Sequence, residues 1–178
     1  MINTADILKA KILIVDDKKS NILLLERMLE GAGYSAVSST TDPAAVCALH
    51  RADAYDLILL DLEMPGMNGF QVMDSLKELD AEGYLPVLAV TAHPDHKLRA
   101  LYGGARDFIS KPFDLPEVLM RVRNMLEVRL LHAADLNHAK HLEAMALNDA
   151  LTGLANRRLL ADRLSMALVH ARRSKNIM

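Results

Sequence analysis

The chain has 178 residues, 51% of them apolar, enough for one ordinary domain with a real core and something left over. Its apolar runs are far shorter than the ~20 residues of a membrane span, no charged-then-apolar leader opens it, and its one cysteine, Cys47, excludes an internal disulfide framework, so a cytoplasmic protein is expected. Charge is uneven, with residues 1–114 carrying 11 Lys+Arg against 17 Asp+Glu and residues 115–178 carrying 10 against 6, which points to two pieces.

In chain order, residues 11–15 read as a buried strand that ends at Asp16 and Asp17. Residues 20–31 place apolar side chains at helical spacing between a polar start and a glycine stop. Residues 34–38 are a short strand, and Asp42 caps a helix that has Pro43 in its first turn and runs to about Arg51. Residues 57–60 form a continuous apolar run, bounded by Asp56 before and by Pro65 and Gly66 after, and Asp61 follows at once. Beyond it, residues 69–79 are helical by period, residues 86–90 form a strand closed by Thr91, and residues 95–102 form a helix ended by Gly103 and Gly104. Residues 107–109 make a last strand before Ser110, Lys111, Pro112 and Phe113. Five strands alternating with helices predict a parallel sheet covered on both faces, joined by right-handed crossovers.

Asp16, Asp17, Asp61, Thr91 and Lys111 all fall at or just after the carboxyl ends of predicted strands, so a doubly wound sheet brings them to one rim. Three carboxylates at that spacing repel unless a cation sits among them, and Mg²⁺ takes oxygen ligands and keeps room for water or phosphate oxygens. A carboxylate can accept a phosphoryl group as an acyl phosphate, while lysine offers a point charge and threonine a hydrogen bond to its oxygens. Singly, each residue has a plainer reading: Asp61 as a turn cap, the acid pair as a solvated turn, Thr91 as a helix cap, Lys111 as a surface charge. Their joint arrival at one rim favours the chemical reading.

Four stretches, Ile-Leu-Ile-Val-Asp16-Asp17, Asp-Leu-Ile-Leu-Leu-Asp61-Leu-Glu-Met-Pro-Gly-Met-Asn-Gly, Ala-Val-Thr91-Ala and Gly-Ala-Arg-Asp-Phe108-Ile-Ser-Lys111-Pro112-Phe, carry a resemblance. Over residues 10–127 the chain resembles the receiver domain of two-component response regulators. The resemblance implies an α/β, flavodoxin-like (CheY-like) doubly wound sheet of five parallel strands in the order 2-1-3-4-5, with a C-terminal helical extension. It implies that Asp61 accepts phosphate from a histidine kinase and that Mg²⁺ is held by Asp17, Asp61 and the backbone carbonyl of Glu63, with Asp16 acting mainly through water. Lys111 then pairs with the phosphoryl oxygens, the Lys111–Pro112 peptide is cis, and Thr91 and Phe108 form the switch pair. Phe108 stands where many receivers have tyrosine; its plainer reading is an ordinary core aromatic. Glu63 and His93, each two residues beyond a site residue, face the approach of hydrolytic water in this family and are expected to tune phosphate lifetime.

Residues 114–148 contain no glycine, and no proline after Pro116, so the last receiver helix is expected to run on as a stalk over residues 128–148. Val118, Val122, Met125, Leu126 and Val128 make an apolar stripe, but later seam positions hold Arg129, His132, Asp135 and Glu143, which weakens a coiled-coil reading. His132, His138 and His141 read as a solvated face rather than a metal site. In Asp149-Ala-Leu-Thr-Gly153-Leu-Ala-Asn156-Arg-Arg158 a helix breaks at Gly153 and a new one starts after Asn156. That stretch resembles the opening of GGDEF diguanylate cyclase domains, with Ala150 and Ala155 where proline is frequent, so residues 149–178 are expected to be the start of such a domain. The nucleotide-binding Gly-Gly-Asp/Glu-Glu-Phe turn that the resemblance implies, with its metal-binding acids, is not among the 178 residues, so this chain is not itself expected to be an enzyme. The reading is a receiver that switches a cyclic di-GMP output and pairs as a homodimer through receiver and stalk, with no membrane or nucleic-acid partner. The alternative is an interaction scaffold, phosphorylation-dependent or degenerate, without a cyclase output.

Overall fold

A computed structural model describes residues 3–79 and 84–147. The resemblance over residues 149–178 lies outside the described residues, as does Asn148 at the end of the expected stalk.

The chain opens with a short helix, α1 (Thr4–Leu8), that sequence reading did not find. Asn3 caps it by accepting from the Asp6 amide at 2.8 Å, and Asp6 accepts from the Asn3 amide at 3.2 Å. Then come β1 (Ile12–Val15), α2 (Lys19–Gly31), β2 (Val37–Thr40), a 3-10 turn (Pro43–Ala45), α3 (Val46–Asp53) and β3 (Leu57–Asp61). They are followed by α4 (Gly69–Leu79), β4 (Val87–Thr91), α5 (Pro94–Tyr102), β5 (Asp107–Ser110) and α6 (Leu115–Leu147). The five strands are all parallel, in the order β2-β1-β3-β4-β5, the topology expected of a flavodoxin-like sheet.

The central strands are apolar on both faces because both faces are covered. Ile12, Ile14, Leu57 and Leu59 point to a layer built with Leu25 and Leu29 of α2 and Val118, Val122 and Leu126 of α6. Leu13, Val15, Ile58 and Leu60 point the other way, to Val46 of α3, Val72, Met73 and Leu76 of α4, and Ala100 of α5. Each fully buried Leu or Ile contributes about 1.5–3 kcal/mol, so these two layers hold the strand ends at the rim in place.

Three local expectations are corrected. The strand expected at residues 34–38 is β2, three residues later. The Tyr34 amide donates to the Leu29 carbonyl and the Ser35 amide to the Leu8 carbonyl, so both close helix ends and pairing on β1 starts only at the Ala36 carbonyl. The helix expected from Pro43 begins as the 3-10 turn, with Asp42 Oδ1 accepting from the Ala44 amide at 2.9 Å, and α3 ends at Ala54 in the left-handed region with φ 52°. The apolar stripe of the last helix is core rather than seam. Val118, Val122, Met125 and Leu126 are buried under the sheet, and only Val128 is turned out, 48% exposed.

The described residues fall into two units, one ending at His132 and the next beginning at Ala133. In the first, Arg129 donates to the Tyr84 carbonyl at 3.2 Å and His132 stacks on the Tyr84 ring at 4.8 Å between centroids, so His132 belongs to a packed contact and not to the solvated face expected of it. In the second, residues 133–147 are helical. No helix among the described residues is long and apolar enough to cross a membrane.

Candidate functional site

The carboxyl ends of β1, β3, β4 and β5 deliver Asp16, Asp61, Thr91 and Lys111 to one rim. Asp16, Asp61 and Thr91 are buried there, 1%, 2% and 0% exposed. Asp16, Asp17 and Asp61 each bring a carboxylate oxygen within 4.8 Å of the others. Lys111 bridges two of them, its Nζ lying 2.8 Å from Asp61 Oδ2 and 3.0 Å from Asp16 Oδ2. The turn between β1 and α2 fixes Asp16, whose Oδ1 accepts from the Lys18 amide at 2.8 Å. Asn21, in the first turn of α2, places its amide nitrogen 3.0 and 2.9 Å from the two Asp16 oxygens. Asp61 Oδ1 accepts from the Glu63 amide at 3.2 Å. The Lys111 amide donates to the Thr91 carbonyl at 2.9 Å, and the Lys111–Pro112 peptide is cis.

Mg²⁺ can be tested against these residues. Asp17 Oδ1 is buried without a hydrogen-bond partner, an acceptor left over beside two other carboxylates. Oxygen donors converging with one acceptor unsatisfied suit a hard divalent cation, so the residues fit the ion.

Thr91 is bonded to Glu63 and to His93. Its hydroxyl donates to Glu63 Oε1 at 2.9 Å and accepts from the His93 amide at 3.0 Å, and the Ala92 amide adds a second bond to the same Glu63 oxygen at 3.3 Å. His93 Nε2 lies 3.5 Å from Glu63 Oε2, and His96 Nδ1 lies 3.5 Å from Glu63 Oε1. Phe108 is half-buried, with Lys97 Nζ 5.0 Å and Arg121 Cζ 5.4 Å from its ring centre. Arg121 is itself held by Asp107 and by Glu117, the latter at 2.9 Å.

Proton affinities follow these contacts. Burial pushes the Asp61 carboxyl above the usual range; Lys111 pulls it back and the Asp16 charge adds to the rise. At Lys111, burial works to lower proton affinity, but two carboxylates outweigh it and the ammonium is held more firmly than usual. Lys111 faces two anions whereas Asp61 faces one cation and one anion, so both partners hold protons more tightly. Burial also opposes charge on Glu63, but the Thr91 hydroxyl, the Ala92 amide and then His93 and His96 bring its carboxyl below the usual range.

Asn21, His96 and Gly69 are the site neighbours that sequence reading missed. A Cβ on Gly69 would stand 2.5 Å from the Asp61 carbonyl oxygen and 2.8 Å from Leu62 Cα, so only glycine lets α4 start against the strand end that carries Asp61. Its place after Asn68 at a helix start was the available signal. Asn21 and His96 carried none, since each acts across a turn of fold.

A doubly wound sheet with an acid cluster, a threonine and a lysine on its carboxyl rim defines a phosphoacceptor class of signalling domain. The model of the response regulator receiver domain family matches residues 12–123, and the chain belongs to that family, whose members take phosphate from histidine kinases. It is 38% identical over 126 residues to the response regulator PleD of Caulobacter vibrioides, a match covering 70% of this chain and 28% of PleD. It is 37% identical over 107 residues to the sensor protein GacS of Pseudomonas syringae pv. syringae, covering 57% of this chain and 12% of that one. The chain thus spans less than a third of the length of either of these two relatives. Among solved structures, chemotaxis response regulator CheY4 of Vibrio cholerae superposes with a TM-score of 0.59 at 29% identity, covering 66% of this chain and 98% of CheY4. The receiver domain of sensor histidine kinase PA1611 from Pseudomonas aeruginosa, solved with a magnesium ion coordinated in its active site cleft, gives 0.61 at 26%, covering 67% and 98%.

Proposed function

We propose that residues 10–127 are a phosphorylation-controlled switch, with Asp61 taking the phosphoryl group from a histidine kinase and Mg²⁺ as cofactor. The observation that carries this reading is Asp61 itself: a buried carboxylate sharing the Lys111 ammonium with Asp16, beside an unpartnered Asp17 oxygen.

Asp17, Asp61 and the Glu63 carbonyl would hold Mg²⁺, which when bound supplies positive charge to phosphoryl oxygens. An Asp61 oxygen attacks phosphorus, the acyl phosphate bond forms, and the bond to the donor nitrogen breaks with its electron pair leaving on the donor. Lys111 moves its charge from the two carboxylates to a phosphoryl oxygen. The new group adds a charge of about −1.5 to −2 and three acceptors. Thr91 leaves Glu63 and donates to one of them, and Phe108 turns inward into the space, leaving its two cations. Glu63 and His93 line the approach to this group and set how fast water removes it. The Thr91–Glu63 bond is thus the resting latch, and phosphate competes for its hydroxyl.

Residues 128–148 act as a stalk that conveys pairing of two receivers, and residues 149–178 open a GGDEF domain whose product is cyclic di-GMP. The support is the helix from Leu115 to Leu147 and the Asp149–Arg158 sequence pattern. The chain is then the control segment of a cytoplasmic homodimeric regulator.

Treating the chain with acetyl phosphate and Mg²⁺ beside an Asp61→Asn variant, and following mass and light scattering together, tests the reading. A phosphoryl adduct absent from the variant, with a shift from monomer to dimer, is expected. Phosphate without that shift would discard pairing as the transmission step, and no adduct would discard the phosphoacceptor.

A further inference from the structure

Near the rim, one buried ring nitrogen has no task in the resting arrangement. We propose that His96 is a positioning residue of the switch, whose Nδ1–H takes over Glu63 Oε1 when the Thr91 hydroxyl leaves it. This deepens the reading of the Thr91–Glu63 bond as a latch and rests on that reading for its part in signalling.

Donors and acceptors around one oxygen carry the inference. A carboxylate oxygen has about two good lone-pair sites. On Glu63 Oε1 they are taken by the Thr91 hydroxyl at 2.9 Å and the Ala92 amide at 3.3 Å. His96 Nδ1 stands 3.5 Å from the same oxygen, buried and without a hydrogen-bond partner among the described residues. That separation exceeds a good N–H···O bond by about half an ångström, so the nitrogen faces an acceptor that is already full. A buried donor left unpaired is a standing cost. Once Thr91 donates to a phosphoryl oxygen instead, Oε1 has a vacant lone pair and His96 an unpaired donor beside it.

The ring is held where this exchange is short. His96 lies in the first turn of α5, its amide donating to the His93 carbonyl at 3.2 Å. Phe70 meets the ring edge-on at 5.8 Å between centroids, and the His93 ring meets it at 5.4 Å. His93 itself faces the other Glu63 oxygen and is 64% exposed at its side chain, so water can satisfy it. The buried His96 Nδ1 has no such recourse. The exchange needs no charge on the ring, only the tautomer that carries its proton on Nδ1. It favours the switched state, because Glu63 replaces the bond it loses and a buried donor gains its first.

The test is NMR of the whole chain with isotope-labelled histidine in the resting form, after acetyl phosphate and Mg²⁺, and in an unphosphorylated Thr91→Val variant, which vacates Oε1 without any phosphate. The expected result is a His96 Nδ1 proton that exchanges with water about tenfold more slowly in the last two than in the resting form. With acetyl phosphate, His96→Leu should lower the ratio of switched to unswitched Thr91, followed by its methyl resonance, by about tenfold at equal labelling of Asp61. His96→Asn, which keeps an N–H donor, should recover most of that ratio, whereas a merely structural role would not be rescued. A His96 Nδ1 proton unchanged in Thr91→Val overturns the proposal, as does a His96→Leu protein that switches as fully as the parent, or a His96→Asn protein that does no better than His96→Leu. The Thr91→Val arm uses no phosphate, so it decides the exchange by itself; absence of an adduct in the parent would discard the phosphoacceptor reading instead. Circular dichroism of each variant separates loss of the donor from loss of the fold.

Discussion

Replacing Lys111 with methionine removes the cation that bridges Asp16 and Asp61, with little change in volume. At 2.8 and 3.0 Å, each contact has a gross Coulomb energy of about 5–6 kcal/mol at an effective dielectric constant of about 20. Desolvation of the ammonium, 20% exposed at its side chain, offsets much of this. Leaving two buried carboxylates without their partner should cost about 3 kcal/mol net, or about 10 °C in melting temperature. The deficit should respond to two treatments. Mg²⁺ should restore more stability to the variant than to the parent, because the ion replaces the lost charge. Acid should do the same. Asp61 already holds its proton above the usual range, and removing Lys111 deletes the contacts that lower it, so the folded variant binds more protons than the unfolded chain. Its stability relative to the parent therefore rises as pH falls from neutrality through the folded Asp61 value, and levels off below the unfolded one. Thermal unfolding followed by circular dichroism, in chelator and in Mg²⁺ at about pH 7 and about pH 5, measures all four conditions. A Lys111→Met protein as stable as the parent in chelator at neutral pH, or one that Mg²⁺ stabilises no more than the parent, would refute this electrostatic account.

Other perturbations have equally definite outcomes. Gly69→Ala forces a Cβ against the Asp61 carbonyl and should destabilise by about 1–3 kcal/mol while slowing acetyl phosphate turnover, measured by urea unfolding and adduct formation. Thr91→Val removes the hydroxyl that Glu63 now accepts from; phosphorylation should persist, but the phosphate-dependent change around Phe108, followed by its ring resonances, should vanish. Leu59→Ala, in a fully buried central strand, should cost about 2–5 kcal/mol in equilibrium unfolding.

The rim was legible because its logic is local. Residues 57–60 are apolar without interruption, which only a strand covered on both faces requires, and Asp61 falls at its end; the same reading places Asp16 and Thr91. Edges and contacts across the fold were less legible. β2 pairs on one side only and is part exposed, so its composition does not mark where pairing starts, and the helix-closing bonds of Tyr34 and Ser35 displace it. The stripe on the last helix satisfies a core and a coiled-coil seam equally well, and the sheet takes it. His132 looked solvated because nothing in the sequence brings Tyr84 to it across 48 positions. Asn21 and His96 likewise gain their meaning from residues of other elements.

The central claim is that Asp61 accepts phosphate through a metal held by the acid cluster. Peptide-level mass spectrometry after acetyl phosphate treatment, with the acyl phosphate trapped by borohydride reduction, tests it most directly in Mg²⁺ and in chelator. The account predicts one modified position, Asp61, labelled in Mg²⁺ and unlabelled in chelator. Label on Asp16 or Asp17 instead, or label on Asp61 that forms equally well without the metal, would contradict it.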